Sequence, residues 1–73
     1  MSKTQRRAIK SLDLAIGAEK IGSNDECALA ARTAGSLARK AGFELDQVWR
    51  SVPDMGAYSM TWNCIVDGWY DAA

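Results

Sequence analysis

Between Ser23 and Gly42 the chain repeats small apolar residues at helical spacing. Cys27, Ala30, Ala31, Ala34, Leu37, Ala38 and Ala41 fall on one stripe. A helix with an alanine face can approach its neighbour closely, at the low end of interaxial distances. The segment is punctuated at both ends. Ser23 and Glu26 have the spacing of a capping box, with Asn24 or Asp25 as alternative caps. Asp25 and Glu26 suit the positive end of the helix dipole, and Arg39 and Lys40 the negative end. Gly42 stands where a left-handed residue closes a helix, and Phe43 follows it where a contact back onto the helix is usual.

The flanking segments supply partners for this helix. Thr4 to Lys20 reads as a first helix, with Ile9, Leu12 and Ile16 at i, i+3 and i+7 and Ala8 and Ala15 beside them. Gly17 weakens its last turns and Gly22 stops it. The short polar turn between the two predicts an antiparallel helical hairpin. A short third helix is expected from Glu44 to Ser51, where Leu45, Val48, Trp49 and Val52 share a face and Pro53 closes the run. The stretch from Asp54 onward is ambiguous. At period two, Tyr58, Met60, Trp62, Cys64 and Val66 alternate as a strand. At period 3.6, Tyr58, Trp62, Ile65 and Trp69 form a stripe with Asp54 as cap. A lone strand leaves its backbone unpaired, which favours the helix. The expectation is an all-α domain with a hairpin, a third helix and a C-terminal helix; a C-terminal strand, giving α+β, is the alternative.

The 73 residues leave room for one domain, 1–73, with residues 1–5 and 71–73 flexible. A domain so small is marginally stable. With only Cys27 and Cys64 it lacks a disulfide framework, although one bridge between them stays open. The opening MSKTQRRAIKSLDLAIG has basic residues without a continuous apolar run, so a secretory leader is not expected. A cytoplasmic monomer is the expectation. Histidine is absent, which removes the commonest general base and metal ligand. Two cysteines alone cannot make a structural zinc site, and no glycine-rich phosphate loop is present. No catalytic residues, metal or cofactor are assigned, and the chain is not expected to be an enzyme.

Charge sums to zero but is unevenly placed. Residues 1–12 carry Lys3, Arg6, Arg7 and Lys10, net +4, whereas residues 44–73 are net −4. The four cations are a candidate arm for an acidic protein groove or for phosphates, against the plainer reading of a solvated helix flank. The acidic remainder argues against simple DNA binding. Of the three tryptophans, Trp49 and one other are expected in the core. Trp69 and Tyr70, beside Gly68, are the candidate exposed anchors. Asp67 and Asp71, at i and i+4, could form an acid–base pair or a magnesium site, but a solvated acidic face is the plainer reading. Both cysteines read as small core residues. A helix-turn-helix reader built on the hairpin would use Arg32, Thr33, Ser36, Arg39 and Lys40 of the second helix.

Two resemblances follow from these stretches. Ile9 to Phe43, with a leucine-containing first helix and an alanine-rich second helix ending in lysine and glycine, resembles a helical-hairpin family of unknown function encoded by phages and bacteria. The chain length, the basic opening MSKTQRRAIK and the acidic-aromatic end DGWYDAA resemble the small phage-encoded transcription regulators that bind host bacterial RNA polymerase. That resemblance implies a non-enzymatic host-takeover protein in the host cytoplasm that inhibits promoter-dependent initiation and favours terminator read-through. A nucleic-acid-binding helical module and an inhibitor of a host defence complex are the competing readings.

Overall fold

The computed structural model describes residues 1–72. Four helices form in chain order: α1 (Lys3–Lys20), α2 (Asn24–Lys40), α3 (Leu45–Ser51) and α4 (Ser59–Asp71), with a 3-10 turn at Met55–Ala57. The ambiguous C-terminal segment is helical, and no strand forms among the described residues. Its start is not Asp54: the 3-10 turn, anchored by the buried Met55, intervenes, and α4 begins after Tyr58.

Two helix ends are closed by the same device. After α1, Gly22 takes φ +75° while the Ser23 and Gly22 N–H groups donate to the Ala18 and Glu19 carbonyls. After α2, Gly42 takes φ +86° while Phe43 and Gly42 donate to Ala38 and Arg39. Both are Schellman closures, which need a residue at positive φ that glycine adopts without strain. Because Ser23 is used in the first closure, its φ/ψ of −84°/75° lies outside the usual capping region, and its side chain makes no cap bond. The capping box expected at Ser23 is therefore absent. One appears instead at Ser2, whose Oγ accepts from Gln5 N (3.1 Å) while Gln5 Oε1 accepts from Ser2 N (2.9 Å). Residues 3–5, expected to fray, thus form the first turn of α1. Of the other expected flexible end, Asp71 is the last residue of α4 and Ala73 lies outside the described residues. Gln47 Oε1 likewise accepts from Glu44 N at the start of α3, and Val52, extended before Pro53, ends it.

α2 is the central element. α1 lies antiparallel along one side of it, as the three-residue connection requires. α4 packs on another side and runs parallel to α2: Cys27 meets Thr61 at one end, and Arg39 meets Trp69 at the other. α3 and the 3-10 turn carry the chain back between them. The buried set is Ala8, Leu12, Ala15 and Ala18 of α1, Cys27, Ala31, Ala34, Gly35, Leu37 and Ala38 of α2, Val48, Met55, and Thr61, Ile65 and Gly68 of α4. In α1 the alanines, not the isoleucines, hold the seam. Ile9, expected on the buried stripe, is 39% exposed and Ile16 is half-buried. Close approach of two alanine faces leaves no room between the axes for a branched side chain, so the larger residues lie to the side.

The α2–α4 seam is tighter still. Gly35 faces the α4 backbone, where a Cβ would fall on the Ile65 carbonyl oxygen and 2.8 Å from Trp69 N. Gly68 faces α2 reciprocally, where a Cβ would fall on the Arg32 carbonyl oxygen and 2.9 Å from its Cα. The two helices touch backbone to backbone. Around this seam the tryptophans are only partly covered. Trp49, expected in the core, is 41% exposed and meets Trp62 edge-on, with centroids 5.0 Å apart at 70°.

The stripe makes a graded prediction. Ala31 is wholly enclosed, whereas Ala34 borders an apolar groove with room for a longer side chain. Ala31→Leu is expected to cost about 1–3 kcal/mol by overpacking, and Ala34→Leu distinctly less. Urea denaturation of the two variants measures the difference, and equal costs would place the groove wrongly.

Candidate functional site

Because the Ser2–Gln5 box starts α1 at Lys3, all four basic residues of the opening are helical. Lys3, Arg6, Arg7 and Lys10 stand at i, i+3, i+4 and i+7, so they share one face. All four are exposed, and the only ion pair among the described residues is Arg50 with Asp46, at 2.6 Å. The first turn of α1 contains no acid. Lys3 and Arg6 lie in the first turn of α1, where a cation opposes the macrodipole at a cost of about 0.3–1 kcal/mol; Arg7 and Lys10 lie beyond that turn. The front of the cluster therefore works against the helix that carries it.

The other proposed anchors are not part of that face. α1 and α4 flank α2 and are bonded to each other where Glu19 meets Thr61, at the end of α1 away from its cations. Tyr70 is 64% exposed, as expected of an anchor. Trp69 is not: it is half-buried, with the Arg39 guanidinium 5.2 Å over its ring and Arg39 Nη1 donating to its carbonyl at 3.1 Å. A cation stacks on one face of the ring and the α2–α4 seam lies beside it, so only part of Trp69 is exposed.

Sequence reasoning missed the polar cluster that ties the fold together. The Glu19 carboxylate accepts from Thr61 N (2.8 Å) and Thr61 Oγ1 (2.7 Å). Cys27 Sγ lies 3.2 Å from Thr61 Oγ1. The Thr61 hydroxyl proton is committed to Glu19, which leaves the Cys27 thiol as donor, with the hydroxyl oxygen at 3.2 Å and Glu19 Oε1 at 3.9 Å as its acceptors. α4 has neither a side-chain cap nor an acid in its first turn. Glu19, 42 residues earlier in the chain, supplies both. Beside it, Lys20 Nζ sits 5.8 Å over the Tyr58 ring. The cluster is fully hydrogen-bonded and structural in form.

Cys27 and Cys64 are free thiols. Burial raises the Cys64 thiol above its ordinary pKa, with the Arg32 guanidinium pulling it back, so its thiolate is scarce at neutral pH. Asp67 and Asp71 are exposed, and no group of three metal-liganding side chains occurs among the described residues. No helix among them is long and apolar enough to cross a membrane.

The helix-turn-helix reading also changes. α2 is packed on two sides and Arg39 is engaged with Trp69, which leaves Arg32, Thr33 and Lys40 as the exposed residues of that set. A second short glycine-containing turn, of four residues against the three between α1 and α2, lies between α2 and α3. There α3 offers Asp46, Gln47, Trp49 and Arg50, with Arg50 already paired to Asp46 and Glu44 at its start. Those carboxylates would face phosphates.

No family model matches the chain, and no curated protein or solved structure matches it.

Proposed function

We propose that this chain is a non-enzymatic protein-binding module that docks the basic face of α1 onto an acidic surface, and that host bacterial RNA polymerase is the partner. On this reading the bound protein inhibits promoter-dependent initiation and favours terminator read-through. One observation carries the docking face: four exposed cations, unpaired among the described residues, share one side of α1, and the first of them stand in the turn where a cation is least favourable. Departures of this kind from local consistency concentrate at functional surfaces. The choice of polymerase rests on the resemblance of the two chain ends to phage transcription regulators. The acids on α3 favour a protein partner over a duplex.

Charges at an interface rim act mostly on association rate and salt dependence. Arg6→Ala with Arg7→Ala is expected to weaken polymerase binding several-fold at low salt and little near 1 M, where the screening length is about 3 Å. The helical circular dichroism should be unchanged. A salt titration against purified polymerase, and separately against random duplex DNA, measures this. Steeply salt-dependent binding to the duplex with none to polymerase would replace the proposal with the nucleic-acid module. Capture of a host defence complex instead would keep the face and change the partner.

A further inference from the structure

An apolar groove opens between α1, α2 and α3, with a volume of about 230 Å³. Its floor is formed by Ala8 and Leu12 of α1, Ala38 of α2 and Val48 of α3, with Ile9 and Phe43 on its walls. The polar groups at its rim are already used. Gln47 Oε1 holds the Glu44 N–H at 2.8 Å, and Ser51 Oγ donates to the Val48 carbonyl at 2.6 Å. The groove therefore presents mostly apolar surface, edged by the exposed Met1, Gln47 and Ser51. Sites for drug-sized ligands run to about 300–1,000 Å³. This one is smaller and suits a single large side chain.

The surroundings fix what should carry that side chain. Ile9 on the wall has Arg6 (i−3) beside it on the helix surface, and Arg6 leads onto Lys3 (i−3) and Lys10 (i+4). The acids near the rim are Asp13, one turn beyond Ile9, and Glu44 at the start of α3. The cationic side is the stronger and carries no ion pair among the described residues. We infer that the α1–α2–α3 groove receives one large apolar side chain of the partner, carried on an acidic segment whose carboxylates lie along Arg6, Lys10 and their neighbours. This rests on the proposed docking of the basic face and adds its apolar anchor, the kind of buried central contact that dominates interface energetics.

The test is a titration of the ¹⁵N-labelled full chain with three synthetic helical peptides. The first bears one central phenylalanine among glutamates. The second has that phenylalanine replaced by asparagine, and the third has the glutamates replaced by lysine. Amide shifts at Ala8, Ile9, Ala38 and Val48 are expected with the first peptide only. Ile9→Asp, at an exposed wall, and Ser51→Phe, which fills the mouth from the rim, should each weaken that binding tenfold or more without changing the fold. Shifts confined to Lys3, Arg6, Arg7 and Lys10 would overturn the groove and leave the basic face standing. Equal binding of the asparagine peptide would do the same. Absence of any shift at millimolar peptide would overturn the groove, while the polymerase titration judges the proposed function separately. Concentration-dependent shifts at the groove without peptide would assign it to a second copy of this chain.

Discussion

Gly68→Ala and Gly35→Ala should each leave this protein largely unfolded at 25 °C. Each added methyl meets the opposing backbone, not the movable end of a side chain: the Arg32 carbonyl in one case and the Ile65 carbonyl in the other. Relief requires α2 and α4 to separate along their shared seam, which also strips cover from Ile65 and Cys27, both fully buried. Overpacking of an ordinary core costs about 1–3 kcal/mol and more where nothing can yield. A core of this size rarely supplies more than about 3–5 kcal/mol in all. The loss is therefore comparable with the whole stability. Gly17→Ala is the control. Nothing lies within 4 Å of its Cβ position, and it sits inside a helix without positive φ. There the change should raise stability by about 0.5–1 kcal/mol, through helix propensity alone. Urea melts of the three variants decide the matter. If Gly68→Ala melts with the parent, the backbone contact between α2 and α4 does not exist.

That glycine pair shows why parts of the fold were legible in the sequence and others were not. The stripe from Cys27 to Ala41, the closures at Gly22 and Gly42 and the break before Pro53 are local signals, and each stands where the spacing puts it. Gly35 and Gly68 are visible in the sequence only as weak helix formers. Their use depends on which face of α2 meets α4, and no local rule fixes that. One apolar stripe was expected to serve one neighbour, yet α2 has two, so Gly35 joins the buried set beside the stripe. The caps sought near Ser23 and Asp54 failed for a related reason. Ser23 is consumed by the turn before it, and α4 takes its cap from Glu19 on another helix. The basic opening was legible as composition, and a helix from Thr4 already puts Arg6 and Lys10 on one face; Lys3 joins that face only because α1 starts at Lys3. Trp69 is less exposed than the sequence suggests because its cover is Arg39, 30 residues away.

Glu19→Ala should be the second most damaging change. It removes the acceptor for two donors of Thr61, a residue with no exposed surface, and takes the negative charge from the start of a helix that has no other. A buried donor left unpaired costs about 1–3 kcal/mol, more when its lost partner was charged. Because Glu19 is itself half-exposed, water can reach part of the vacated site, so a total of about 3 kcal/mol is expected rather than the sum of two full penalties. Glu19→Gln keeps one carbonyl acceptor and loses the charge, and should cost about 1 kcal/mol. Thr61→Val separates the hydroxyl from the backbone donor. In the parent it breaks a bond to a carboxylate, but in the Glu19→Ala background it removes an orphaned hydroxyl and should cost less. The cycle should show a coupling of about 0.5–3 kcal/mol. Amide hydrogen exchange gives a local readout: the Thr61 N–H should lose protection in Glu19→Ala before the central amides of α2 do, as the first turn of α4 frays. The cations of α1 lie at its other end, so polymerase binding should persist in this variant at temperatures where it stays folded. A Glu19→Ala protein within about 0.5 kcal/mol of the parent, with Thr61 still protected, would show that α4 does not need its remote cap.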